Sequence, residues 1–402
     1  MRVLQLSDVY FPRVNGVSTS IETFRRRLRE LDVEVLLVAP RYGSEGDTDD
    51  VLRVAGRPVP GDPEDRLMRL RETAARASAI AAGGVDLIHV HTPFAAHLAG
   101  VHVARRLDLP VLVSYHTLFE EYARHYVRWL PRALTAACAR AISRHQCQQA
   151  ERVIAPSGQM RERLLSYGVT RPIDVLPTGV EGAHFAAGDR QRFRRAHDIP
   201  PGRPVALTVS RLAFEKNIGM LVEAVVHARR VCPDMLLLIA GQGPAEGDLK
   251  RQVERCGVAD SIRFLGYLDR VQMLPDCYAA ADLFVFASRT ETQGLVLLEA
   301  MAAGTPVLAL ASMGASSILA GGRGCLRAPD DAGDFGRMIG DLLNHPEHLD
   351  DMSAAARQAA TAWSAVAKAG QLYELYMRIG AGGRRKATRR QAWKARTKGR
   401  AA

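Results

Sequence analysis

The sequence predicts an α/β protein of two doubly wound, Rossmann-like parallel-sheet units, and three features predict it. Short apolar runs rich in β-branched residues alternate with longer helical patterns. The runs form two series of five, and a stretch dense in Gly, Pro and charge, 177–204, separates them. At 402 residues the chain is too long for one ordinary core and suits two.

The first series is VLQLS (3–7), VEVLLVA (33–39), DLIHV (86–90), PVLVSY (110–115) and RVIAPS (152–157). Unbroken apolar runs of this length mark strands buried on both faces, as in a parallel sheet. The second series is VALTVS (205–210), MLLLIA (235–240), IRFL (262–265), DLFVFAS (282–288) and PVLAL (306–310). The expected division is a first domain over 1–180, a connection over 181–203 and a second domain over 204–360. A helix over 361–380 returns to the first domain, and a basic tail occupies 381–402. Ligands of such sheets collect beyond the carboxyl ends of the strands, so two facing units would share a cleft lined by strand-end loops.

Composition excludes several classes. No stretch approaches the 18 consecutive apolar residues of a spanning helix, and the start MRVLQLSDVYF lacks a charged-then-apolar leader; a cytoplasmic protein is expected. The six cysteines lie far apart with no C-x-x-C pair, as reduced structural thiols do. The formal net charge is +11, and 381–402 holds nine cations and no acid. A tail this basic, with Trp393 its one large apolar residue, cannot build a core and is expected to be mobile, with anionic lipid or nucleic acid as its natural partner.

The richest stretch is 282–310: a strand, a polar loop with Glu291, a helix from about Gln293 to Ala303 carrying Glu299, a Gly304 stop and another strand. The amides of Gln293, Gly294, Leu295 and Val296 would point unpaired from the helix start, where a phosphate is favoured. Read alone, Glu291 is open to a plainer role as a cap and Glu299 as a solvated helix residue. In VSRLAFEKNIGML, Arg211 and Lys216 follow the first strand of the second unit, where two cations would stabilise charge on a departing diphosphate. Surface cations are the plainer alternative. Asp47-Thr48-Asp49 spells the D-x-D of metal-dependent transferases, but in a polar loop rather than at a strand end, so no metal site is expected. Gly241-Gln242-Gly243 begins like a dinucleotide fingerprint yet has Glu246 at its third glycine position, which disfavours a nicotinamide enzyme.

Glu291 and Glu299 with seven residues between them, and S-R-L-x-x-E-K from Ser210, make the chain resemble the retaining glycosyltransferases of family 4, with their two-domain GT-B fold. The likeness runs from residue 2 to about 380. It implies that Arg211 and Lys216 bind the donor diphosphate, that Glu299 holds the ribose, and that Glu291 contacts the sugar with the amides of Thr292, Gln293 and Gly294. Gly266, Tyr267 and Leu268 would lie near the base, and Gly16 would admit the phosphates. His116, in SYHTLFEEYARHY, matches the histidine placed beside sugar and acceptor; His89 and His91 read as structural.

Y-H-T followed by F-E-E-Y-x-x-H-Y, and E-T-Q-G-L-V-L-L-E-A, are similar to the branch that glucosylates diacylglycerol. That likeness implies UDP-glucose as donor, no cofactor or metal, and a lipid acceptor at an anionic membrane surface. The enzyme would then sit peripherally on the cytoplasmic leaflet. On the acceptor side, Tyr122, Tyr126, Arg128 and Trp129 form a basic aromatic segment suited either to a membrane or to packing on its own domain. A GDP-mannose-dependent mannosyltransferase on a phosphoinositide or polysaccharide precursor, and a nucleic-acid-binding protein on a degenerate scaffold, are the alternatives. Oligomeric state is not encoded in any of these motifs.

Overall fold

The computed structural model describes residues 1–402 except 60, 61, 117, 119, 121–130, 323 and 399–402, and gives the backbone alone at 62, 63, 132 and 382–398. The chain folds as two compact units: Met1–Thr178 with Val366–Ala402, and Gly179–Ala365.

In the first unit the strands are β1 (Arg2–Leu6), β2 (Glu34–Pro40), β3 (Val51–Val54), β4 (Gly56–Val59), β5 (Asp62–Met68), β6 (Leu87–Val90), β7 (Val111–Ser114), β8 (Arg152–Ala155) and β9 (Ile173–Val175). Seven of them make one parallel sheet in the order β3-β2-β1-β6-β7-β8-β9, and β4 pairs β5 as an antiparallel ribbon. The strand order reverses between β1 and β6. The ends of those two strands are therefore the switch point at which a doubly wound sheet takes its ligands.

The second unit adds β10 (Val205–Val209), β11 (Leu236–Ala240), β12 (Ile262–Gly266), β13 (Leu283–Phe286), β14 (Val307–Leu310) and β15 (Cys325–Ala328). They form a parallel sheet in the order β12-β11-β10-β13-β14-β15, with its switch point between β10 and β13. Leu236 and Leu238 bury on one face of β11 while Leu237 and Ile239 bury on the other. Period-two alternation with both faces covered is why the run reads as continuously apolar. The doubly wound expectation holds for both units.

Residues 181–203, read from composition as a connection, are folded onto the second unit. The helices Gly182–Ala186 and Arg190–Ala196 bury Phe185 and Phe193, with Ile199 beyond them, in its core. Arg192 grips Asp276 through two bonds of 2.6 Å, and Arg194 reaches Asp282 at 3.0 Å. The apolar residues are too few for a periodic signal, and the charge that suggested a linker is spent on these pairs.

The last helix, Ala365–Lys398, joins the first unit. Ala369, Leu372, Leu375, Tyr376 and Ile379 bury against Val3, Leu87 and Leu112. Each large side chain so removed from water contributes about 1.5–3 kcal/mol. The helix runs on through the segment expected to lack regular structure. Between Ala381 and Lys398 the chain has no proline and is rich in Ala, Arg and Lys, all strong helix formers. No helix among the described residues is long and apolar enough to cross a membrane.

Candidate active site

The second unit shapes its switch point with glycine contacts. Beyond β11 the chain turns through Gly241-Gln242-Gly243. A Cβ on Gly241, which has φ +129°, would collide with the Ser210 carbonyl oxygen, and one on Gly243 with that of Leu212. Close approach lets Leu212 donate its amide to Gln242 at 2.9 Å, and Ala245 donate to Leu212 at 2.8 Å. The glycines thus clamp the segment that carries Arg211, which is what they do in place of dinucleotide binding. Asn217 follows in the left-handed region at φ 55° and donates to the Ala287 carbonyl beyond β13 at 3.1 Å, tying the two switch-point strands together.

Across that switch point Lys216 Nζ meets Glu291 Oε1 at 2.6 Å, with side chains 22% and 17% exposed. An ammonium has three N–H donors, so Lys216 can hold Glu291 and a phosphate oxygen together. The helix that follows starts at Leu295, two residues later than expected, because Gly294 caps it at φ +92°, a conformation glycine adopts without strain. Gln293 is buried, and the Gly314 amide donates to the Glu291 carbonyl at 2.8 Å. Gly314 fits because a Cβ there would collide with the Thr292 carbonyl oxygen. Gly266 (φ +69°) accepts from the Gly241 amide at 2.7 Å, Leu268 is buried and Tyr267 is exposed.

Glu299, expected to hold a ribose, is 3% exposed and already engaged. Arg270 binds its Oε1 and the Tyr278 hydroxyl donates to its Oε2 at 2.9 Å. Burial pushes the Tyr278 phenol well above its ordinary range, so it stays a donor. Each carboxylate oxygen keeps a second lone pair for a ligand hydroxyl. Arg270 lies two residues past Leu268 and went unread in the sequence; its guanidinium also faces the Phe185 ring at 5.9 Å.

In the first unit Gly16 opens the helix Gly16–Arg29, exposed, with open space where a Cβ would sit. Asn15 takes the place of a second glycine and spends its side chain on the helix, accepting from the Val17 and Ser18 amides at 2.9 and 3.0 Å. Two of the amides a phosphate would seek at this helix start are thereby occupied. At the switch point Asp8 accepts from the Thr92 hydroxyl at 2.7 Å and the Ala96 amide at 3.2 Å, and burial raises its carboxyl to about 6.

His116 stands two residues past β7, its Nε2 3.1 Å from His91 Nδ1. His89 lies between the Tyr376 hydroxyl at 2.6 Å and Ser114 Oγ at 2.8 Å. Both His89 and His91, read as structural from the sequence, belong to the environment of His116; the H-x-H spacing at the end of β6 was the available signal. His89, Ser114 and His116 line a small pocket with Ser20, Thr178 and Leu372. Tyr122, Tyr126, Arg128 and Trp129 lie outside the described residues. In the D-x-D loop, Asp47 is taken by the Arg53 amide at 2.7 Å and by Arg76 at 2.6 Å. Among the described residues no group of three or more His, Cys, Asp or Glu is arranged to hold a metal.

The family model for glycosyltransferase family 4 matches residues 14–183, and that for glycosyl transferases group 1 matches 189–359. The chain is 31% identical over 316 residues to an alpha-monoglucosyldiacylglycerol synthase of Streptococcus pneumoniae, covering 77% of this chain and 71% of that one. A GDP-mannose-dependent alpha-mannosyltransferase of Mycobacterium tuberculosis is 29% identical over 362 residues, covering 87% and 88%. In fold the chain matches a sucrose-phosphate synthase of Thermosynechococcus elongatus with TM-score 0.79 at 22% identity, over 95% of this chain and 99% of that one. With two Rossmann-like sheets, a Lys216–Glu291 pair at the second switch point and these relatives, the chain belongs to glycosyltransferase family 4 and is a glycosyltransferase of the GT-B fold.

Proposed function

We propose that the chain transfers a hexose, glucose from UDP-glucose, to a hydroxyl of a membrane lipid such as diacylglycerol, with retention and without a metal ion. The observation that carries the donor half is the Lys216–Glu291 pair, 2.6 Å apart at the strand ends of the second sheet. A diphosphate arriving there draws the charge of Lys216 and Arg211 and releases a Glu291 oxygen for the sugar hydroxyls. The acceptor oxygen bonds to the anomeric carbon as the bond from that carbon to the β-phosphate oxygen breaks. The electron pair leaves on the phosphate, which takes the acceptor proton on the same face of the sugar. Glu291 stays a sugar contact and is not the nucleophile.

Resemblance to a glucosyldiacylglycerol synthase supports the lipid half, and the nine cations of 381–402 suit an anionic surface. Peripheral attachment to the cytoplasmic leaflet follows from this reading. The test is incorporation of labelled glucose from UDP-glucose into extractable lipid on anionic vesicles, with and without chelator. Transfer that persists with chelator supports the proposal; no transfer to any lipid removes the acceptor, and dependence on added metal removes the metal-free step. The mannosyltransferase relative favours a second reading with GDP-mannose as donor. Thermal shifts against UDP- and GDP-sugars separate the two, since only the nucleotide that fits near Gly266 and Tyr267 will stabilise the second unit.

A further inference from the structure

His89, His91 and His116 form a buried hydrogen-bonded group in the first unit. Gln5 donates to the Tyr376 hydroxyl at 3.1 Å, and His89 bonds that hydroxyl through Nδ1 at 2.6 Å and Ser114 Oγ through Nε2 at 2.8 Å. His91 and His116 share one hydrogen across 3.1 Å, their rings inclined by 18°. Two arrangements satisfy that bond. If His116 donates through Nε2–H, a neutral His91 must carry its hydrogen on its own Nε2, which is buried with no hydrogen-bond partner among the described residues. If instead His91 donates through Nδ1–H, the same Nε2 is a bare ring nitrogen and only a lone pair goes unmet. Orphaned buried N–H groups are the rarer defect in folded proteins.

We propose that His91 is the positioning residue of His116, donating Nδ1–H to His116 Nε2 and holding His116 as the tautomer with its proton on Nδ1. His116 Nε2, already accepting from His91, is then not a proton acceptor in the transfer. Burial works in the same direction. It lowers His116 to about 4 and holds His91 and His89 well below the ordinary imidazole range, so all three are neutral near neutral pH. The role beside the sugar rests on the proposed function; the tautomer does not.

Two-bond proton–nitrogen correlation spectra of the full chain carrying nitrogen-15 histidine read the tautomers directly, with His91→Asn and His116→Asn supplying assignments. The expected result is Nδ1–H on both His91 and His116. An Nε2–H or imidazolium signal for His116 near neutral pH overturns the proposal. In activity, His91→Asn keeps an amide donor near the Nδ1 position and should retain kcat, whereas His91→Leu should lower it by about tenfold or more with donor KM unchanged. Equal losses in both variants overturn the positioning role even where the spectra agree. Should His91→Leu fail to fold, the wild-type spectrum and His91→Asn still decide the matter. A wild type that transfers no sugar removes the proposed function and leaves the tautomer result standing.

Discussion

Lys216 and Glu291 neutralise one another at 2.6 Å with side chains 22% and 17% exposed, and a pair still reached by solvent adds little to the fold while it offers its charge to a bound anion. Lys216→Ala should lower kcat by about 10²–10³ with little change in melting temperature, as steady-state transfer and calorimetry will show. Arg270 is the opposite case. Its partner Glu299 is 3% exposed, and breaking a buried pair costs about 3–5 kcal/mol because it strands a charge. Arg270→Ala should therefore destabilise the second unit by that order in urea unfolding and also weaken UDP binding, whereas an exposed pair such as Arg289–Asp330 should be silent. The approach of Lys216 to Glu291 joins two short segments that the sequence already marks as strand-end loops. Arg270 was not legible, because it reaches Glu299 across 29 positions that only the fold closes.

The ends of β6 and β7 set an acid limit on the first unit. Burial lowers the pKa values of His89, His91 and His116 from 6.5, His116 to about 4, so the folded state binds fewer protons than the unfolded one below pH 6.5. Their contribution is present above 6.5 and is lost as pH falls, at about 1.4 kcal/mol per unit per group. Asp8, raised from 3.8 to about 6 by burial, acts with the other sign between those values, gaining stability as pH falls. Three groups outweigh one, so stability should drop from pH 6.5 toward 4. Urea titrations at several pH values should give His116→Asn a shallower drop and Asp8→Asn a steeper one. At the glycine turns, Gly314→Ala forces the Thr292 carbonyl away and should cut transfer by about tenfold or more through displacement of Glu291. Element by element, β10 to β14 were legible from apolar runs. The strands β3, β9 and β15 were not, because they are sheet edges whose polar residues, Arg53, Asp174 and Arg327, break the run.

At the scale of the molecule, the last helix divides its labour along its length. Its described part buries Ala369, Leu372, Leu375, Tyr376 and Ile379, while the run of nine cations without an acid begins at Arg384. A chain cut after Gly380 should keep its melting temperature yet lose affinity for anionic vesicles, at about 1 kcal/mol for each basic residue near the surface; co-sedimentation against neutral vesicles checks it. Unchanged vesicle binding would remove the tail from the membrane reading. The sequence by itself determined the two doubly wound sheets and the position of Lys216 and Glu291 in loops beyond strand ends. Both are written locally, the sheets in strands that bury both faces and the two residues in short segments attached to β10 and β13. Only the tertiary structure decided that 181–203 belongs to the second unit, that Glu299 is held by Arg270 and Tyr278, and that His91 reaches His116. Those contacts depend on strand order, which sets neighbours far apart in sequence and leaves no periodicity in the chain itself.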